Sequence, residues 1–368
     1  MPRYRFAQQA LRTSEDVFAS FGRRALIIGG KTALSKALAD IEAACVEAGV
    51  AVAGVEHYGG ECTYTQMARL ADIGRMKAAD LILGVGGGKA IDTAKGCAHM
   101  MRVPVITAPT IAATCAAVTA ISVVYDEHGI FVESMFHAQP PACAIIDMGI
   151  IADAPEKYLR AGIGDALAKH VECTLASRGR ELTHTCTLAV TISQTSYDPL
   201  LRYGLQAMDD ARAGRATEAL EQVTLSSIVS TGLVSLLIEE IYNGAIAHAL
   251  FYGLTRLKDF EHKCLHGDAV GYGVLVQQML DGKRDSFETL CSFMKSLGMP
   301  VTLRDIGFAL TQEVLEEIVP ATLKVLANTR VMPYEVTPSM LTDALNAVEN
   351  AHLERRAWNE AENAGADS

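Results

Sequence analysis

The chain has 368 residues, 50% of them hydrophobic and 20% charged. That length exceeds the roughly 100–200 residues of one domain and predicts two, and the apolar content excludes general disorder. A net charge of −11 argues against a nucleic-acid or anionic-membrane partner, because phosphate surfaces are held by surplus Lys and Arg.

The N-terminal stretch carries Arg3, Arg5, Arg12, Glu15 and Asp16 and lacks the apolar core of a signal peptide. No apolar run approaches the ~20 residues of a membrane span, the densest being LVSLLI at 233–238. The nine cysteines form no C-x-x-C pair and read as reduced thiols. A soluble, cytoplasmic protein is expected.

Up to about residue 150, β-type runs alternate with helical periods. The runs are ALIIGG (25–30), 33–48, VAVAGVEHY (50–58), 63–78, DLILGV (80–85), 89–101 and VPVITAP (103–109). Strands alternating with helices imply parallel pairing, and continuous apolar strands imply helices on both faces of the sheet. The segment AISVVYDEHGIFVESMF (120–136) reads as a hairpin turning at Asp126–Gly129, and ACAIIDM (142–148) returns to the sheet. From Pro155 the periodicity is helical, in 165–178, 219–239, 243–257 and 267–281. The expected fold is therefore α/β: a doubly wound parallel-sheet domain over 1–154 and an all-helical domain over 155–368. The acidic tail NEAENAGADS is expected to fray.

DLILGVGGGKAIDTAKGCA sets Gly84, Gly86, Gly87 and Gly88 between a buried strand and a helix starting near Lys89. Glycine permits positive φ and close backbone approach, and a helix N-terminus adds partial positive charge, which together suit a pyrophosphate. A strand-to-helix turn that binds nothing has the same composition, and the G-x-G-x-x-G fingerprint is absent.

Three residues of the helical half stand out as a set: Asp165, His248 and His266. Singly, Asp165 could cap its helix, His248 could be a hydrogen-bonded core histidine, and His266 could close a helix end. Together, one carboxylate and two imidazoles make a three-ligand site with positions open for substrate, as catalytic Zn²⁺ or Fe²⁺ requires.

In order and at suitable separations, GVGGGKAIDTAK, APTIAAT, AGIGDALAKHVE, AIAHALFYGL and LHGDAVGYG resemble the glycerol-dehydrogenase-like branch of the iron-containing (group III) alcohol dehydrogenases. PTIAATCAA and the following hairpin look more like the bacterial hydroxycarboxylate dehydrogenases of that branch than like glycerol dehydrogenases proper. The resemblance implies cofactor and metal in an interdomain cleft, with Asp165, His248 and His266 as ligands of Zn²⁺ or Fe²⁺. Gly86, Gly87, Gly88 and Lys89 match the pyrophosphate loop and Asp92 a family aspartate on its helix. Thr110, Thr119, Ile121 and Tyr125 match positions lining the nicotinamide side. Some iron-type relatives use a fourth ligand, a histidine one turn after the aspartate. Here that position is Lys169, and His170 is rotated about 100° away, so three protein ligands are expected. His262 could be a proton relay or a solvated side chain.

The implied reaction is hydride transfer between NAD(P)H and a small carbonyl or secondary alcohol, with a homo-oligomer, dimer up to octamer, as the assembly. Lys31, following Gly29–Gly30 where NAD-preferring relatives often carry an acid, favours NADPH over NADH. Cys115 replaces the aspartate that glycerol dehydrogenases carry after this stretch, which favours a 2-oxo or 2-hydroxy acid over glycerol, with Lys157, Lys169 or Arg256 holding its carboxylate. Glycerol oxidation is the first alternative. A dehydroquinate-synthase-like lyase is the more distant one, disfavoured by Asp165 in place of glutamate and by the lack of a basic cluster.

Overall fold

A computed structural model describes residues 3–351, the side chain of Glu261 apart, so the acidic tail lies outside the described residues. The chain forms two compact units, one reaching to Ile163 and including Thr195–Leu237, the other made of Gly164–Gln194 and the chain from Ile238 onward.

The first unit is built on a six-stranded parallel sheet. Its elements in chain order are β1 (Arg3–Ala7), α1 (Glu15–Phe21), β2 (Arg24–Gly29), α2 (Lys31–Ala48), β3 (Ala51–His57), α3 (Tyr64–Met76), β4 (Leu81–Gly86), α4 (Gly88–Met101) and β5 (Val105–Pro109). The hairpin β6 (Ile121–Tyr125) and β7 (Phe131–Phe136) pairs antiparallel as a separate sheet, and β8 (Cys143–Asp147) with α5 (Met148–Ala152) completes the run. The hairpin turns where Asp126 Oδ1 accepts the amides of His128 and Ile130, each at 2.8 Å, and Gly129 takes φ +80°.

The strand order is β1-β8-β5-β4-β2-β3. Strands β2 and β4 are buried almost throughout, whereas the edge strands β1 and β3 are half exposed. Successive side chains of a strand face opposite ways. Ile27, Leu83 and Ile145 pack on Phe18 of α1 and Ile41 and Cys45 of α2. Leu26, Ile28 and Ile82 pack on Leu70 of α3 and Ala94 and Cys97 of α4 on the other face. This is the doubly wound arrangement that the apolar runs imply.

After β2 the chain moves outward to β3, then crosses to the other side of β2 to lay down β4. The winding therefore reverses between β2 and β4, whose ends lie in register at Gly29 and Val85. Helices α2 and α4 begin directly at those ends, with Gly30 and Gly87 as N-caps and no side chain capping either. Their first N–H groups thus face the region beyond the carboxyl edge of the sheet.

The remaining described elements are helical. They are α6 (Glu156–Ala176), α7 (His184–Arg212), α8 (Glu218–Leu225), α9 (Thr231–Leu237), α10 (Ile246–Leu254), α11 (Phe260–Lys263), α12 (His266–Leu280), α13 (Arg284–Ser296), α14 (Gln312–Thr329) and α15, from residue 338 to 351. A π-turn, Ser226–Ser230, joins α8 to α9. The resulting helix, Glu218–Leu237, is by length and composition apolar enough to cross a membrane, which corrects the expectation from contiguous runs. Interleaved Ser and Thr had broken the run. Leu220, Val223, Ile228 and Val234 of this helix are nevertheless buried in the protein core.

Candidate functional site

In the second unit, α6, α10 and α12 approach unusually closely. A Cβ on Gly164 of α6 would collide with the Gly267 carbonyl of α12, and one on Gly273 of α12 would lie 2.7 Å from the backbone of Ala247 in α10. Only glycine allows these backbones so near, and the approach brings the three candidate ligands together.

Asp165 lies mid-way along α6, so it is not a helix cap, and His266 opens α12 instead of closing a helix. Asp165 Oδ1 is 3.4 Å from His248 Nε2 and 3.5 Å from His266 Nε2. The ligand atoms of all three lie within 4.8 Å of one another. The Asp165 carboxylate is 8% exposed and the His266 side chain 33%, so the set is closed on the aspartate side and open at His266. The rings of Phe251 and His266 pack nearly perpendicular to one another, with centroids 4.4 Å apart.

Glu172 joins the site from α6, seven residues after Asp165 and hence almost two full turns along the same face. Its Oε2 meets His248 Nδ1, while Oε1 accepts the amides of Ala245 at 2.7 Å and His248 at 2.8 Å. Burial works against the Glu172 charge, but His248 and these amides hold its carboxyl below the usual range. Asp165 behaves likewise: burial raises its pKa, and the two histidines outweigh that and lower it. Burial opposes a charged His248, yet Glu172 and Asp165 lift it to about 9.

A neutral His248 whose Nδ1–H donates a hydrogen bond to Glu172 presents an Nε2 lone pair to Asp165, an acceptor facing an acceptor at 3.4 Å. Such a contact is satisfied by a proton or by a cation held between the two. Two imidazoles and a carboxylate suit Zn²⁺ or Fe²⁺ as that cation.

The other candidates of this unit have different partners or face solvent. Lys169 is buried and donates to Asn243 Oδ1 at 2.9 Å, and His170 Nδ1 pairs with Ser193 Oγ at 2.8 Å. His262 and Arg256 are exposed.

In the first unit, Gly86 takes φ +143° and its carbonyl accepts the Thr110 amide at 3.1 Å. Cβ atoms on Gly87 and Gly88 would meet Ile111 Cδ1 at 2.7 Å and Thr114 Oγ1 at 3.2 Å, so the turn is packed against the 110–116 segment. Lys89 pairs with Glu61 at 2.5 Å and lies 4.9 Å from the centre of the Tyr125 ring. Lys31 is the exposed first residue of α2, and Lys157 is exposed near the start of α6.

Asp92 turns inward. Its carboxylate is 2.7 Å from Lys95 Nζ and accepts the Val123 amide at 3.0 Å, and burial pushes its pKa up. Lys95 in turn donates to the Ala116 carbonyl at 2.9 Å, the Thr119 carbonyl at 3.3 Å and the Ile121 carbonyl. Asp92, Thr119 and Ile121 are thereby tied to one buried ammonium that fastens the 116–123 segment to α4. Cys115 is half-buried, its carbonyl accepting the Val118 amide at 3.0 Å.

Glu172, Lys95 and Glu61 escaped the sequence reading. A carboxylate two turns from Asp165, and a Lys three residues from Asp92 in an otherwise apolar helix, were the available signals.

The model of the family described as iron-containing alcohol dehydrogenase matches residues 2–148. Over 335 residues the chain is 35% identical to glycerol dehydrogenase of Escherichia coli O6:H1, covering 88% of each chain. The chain belongs to the iron-containing alcohol dehydrogenase family. It is an oxidoreductase acting on CH–OH groups, and glycerol dehydrogenases are prominent among its relatives. Hydroxycarboxylate dehydrogenase A of Escherichia coli K12 is 32% identical, over 89% of this chain and 90% of the relative. A crystal structure of glycerol dehydrogenase from Schizosaccharomyces pombe superposes with a TM-score of 0.87 at 29% identity, covering 98% of this chain and 92% of the other. Identities this close do not separate a glycerol from a hydroxycarboxylate substrate.

Proposed function

We propose that this family member is a metal-dependent, NAD(P)-linked dehydrogenase that interconverts a 2-oxo acid and its 2-hydroxy acid. The observation carrying the reading is the convergence of Asp165, His248 and His266 on a common point. These three residues would hold the metal, and the Gly86–Lys89 turn with the uncapped start of α4 would hold the cofactor pyrophosphate. When bound, the metal supplies a Lewis acid for the alcohol or carbonyl oxygen and the nicotinamide supplies the hydride. Lys89 lies beside the turn with its ammonium paired to Glu61, and Lys31, solvated at the start of α2, supports a preference for NADPH through a 2′-phosphate.

The substrate class rests on Cys115, which puts a neutral side chain where a carboxylate would repel an anion. A second reading, glycerol and dihydroxyacetone as the pair, is supported by the glycerol dehydrogenases to which the chain is similar. The test is a screen of NADH and NADPH oxidation, with Zn²⁺, Fe²⁺ or Mn²⁺ added, against 2-oxo acids, hydroxyketones and aldehydes. Turnover of 2-oxobutanoate or 2-oxoglutarate above dihydroxyacetone supports the first reading, and the reverse order supports the second. A preference for NADH removes the role given to Lys31.

A further inference from the structure

We propose that Glu172 is a positioning residue that fixes which nitrogen of His248 is available to a metal; the inference rests on the metal reading above. Glu172 is 1% exposed and all of its acceptor capacity toward α10 is used. One oxygen takes the amides of Ala245 and His248, and the other faces His248 Nδ1. The start of α10 has no side-chain cap of its own, so these N–H groups are satisfied from outside: by Glu172 of α6, and by Gln277 of α12, whose Oε1 accepts the Ile246 amide at 3.1 Å.

With the Glu172 carboxylate against it, His248 Nδ1 is the donor on that side, so Nε2 is the nitrogen that faces Asp165 and whose proton a metal would replace. The cap of the helix and the tautomer of the ligand are set by the same side chain. His266 has a different support, the ring of Phe251 packed nearly perpendicular to it. Hydrogen-bonded partners of this kind commonly orient metal-ligating histidines.

Glutamine separates the two jobs. In E172Q the amide oxygen can still accept the two backbone N–H groups, but the NH₂ is then turned toward Nδ1, and the imidazole relieves the clash of donors by carrying its proton on Nε2. That nitrogen cannot ligate. Zinc affinity of the full chain, measured by chelator competition, is therefore expected to fall roughly 10–100-fold in E172Q. Q277L removes the neighbouring cap without touching the ring and is expected to bind zinc as the unmodified chain does. Equal affinity in E172Q, or an equal fall in Q277L, overturns the proposal while leaving the metal reading intact. Absence of zinc binding by the unmodified chain overturns both. A measurement independent of the folding of E172Q is the ¹⁵N spectrum of histidine-labelled, zinc-loaded protein: His248 is expected to carry its proton on Nδ1, and a proton on Nε2 overturns the proposal.

Discussion

Glu172 and His248 are joined twice, through the imidazole and through the His248 amide at 2.8 Å. The two histidines that face Asp165 are therefore not equivalent: the His248 side chain is 15% exposed and anchored, whereas that of His266 is 33% exposed. Removing the His248 ring leaves the Glu172 charge buried beside backbone amides alone, which costs about 3 kcal/mol. H266A removes a partly solvated ring and costs about 1 kcal/mol. Urea unfolding of the metal-free proteins checks this, and equal losses in the two variants would contradict the asymmetry.

Cofactor binding should respond differently to two neighbouring glycines. At Gly86 the φ of +143° and an Ala90 Cβ 3.0 Å away make alanine strained, so G86A should lose roughly 1–3 kcal/mol of stability. At Gly88 the tightest contact of an added Cβ is with Thr114 Oγ1 at 3.2 Å, which the side chain can relieve. G88A should melt close to the unmodified chain yet bind NADPH about tenfold more weakly, since the Cβ keeps phosphate from the backbone. Nucleotide-fluorescence titration with parallel thermal melts separates the effects. Unchanged affinity in G88A would remove this turn from the cofactor site.

Substrate choice is tested at Cys115. C115D should raise kcat/KM for glycerol or dihydroxyacetone and lower it for 2-oxobutanoate or 2-oxoglutarate, because the new carboxylate accepts from vicinal hydroxyls and repels an anion. If the two substrate classes keep their ratio, Cys115 is only filling a gap in the core.

Acid stability should depend on His137, which shares Ser122 Oγ at 2.8 Å and faces His99 Nδ1 at 3.5 Å. Burial, with Lys95 and His99 adding to it, lowers its pKa from 6.5 to about 4. The unfolded chain therefore binds a proton in this window that the folded chain refuses, so stability falls as pH drops from 6.5 toward 4. The urea midpoint should show that slope, flattened in H137Q. An identical slope in the variant would assign the acid sensitivity to other groups.

How far the sequence revealed this molecule depended on where the apolar signal lay. Strands β2, β4 and β8 are buried almost throughout and read as continuous apolar runs, so the doubly wound sheet was legible. The edge strand β1, RYRFA, is largely exposed and carries charges, and it escaped notice. So did α7, whose buried positions include Cys186, Ala189, Ser193 and Ser196: the spacing is helical but the residues are small or polar. At the candidate metal site Asp165, His248 and His266 could be named, because the motifs around them carry a resemblance. The glycine contacts that bring their helices together could not be read, since they depend on which backbones meet. Asp92 was legible as a charge in the loop helix, but its inward turn toward Lys95 follows from the burial of that face.

The central claim, that Asp165, His248 and His266 hold one catalytic divalent ion, is tested most directly by calorimetric titration of the metal-stripped full chain with Zn²⁺, beside H266A. The expected result is saturation at one ion per chain in the unmodified protein and no binding at this site in a folded H266A. Equal zinc binding by the two proteins would contradict it.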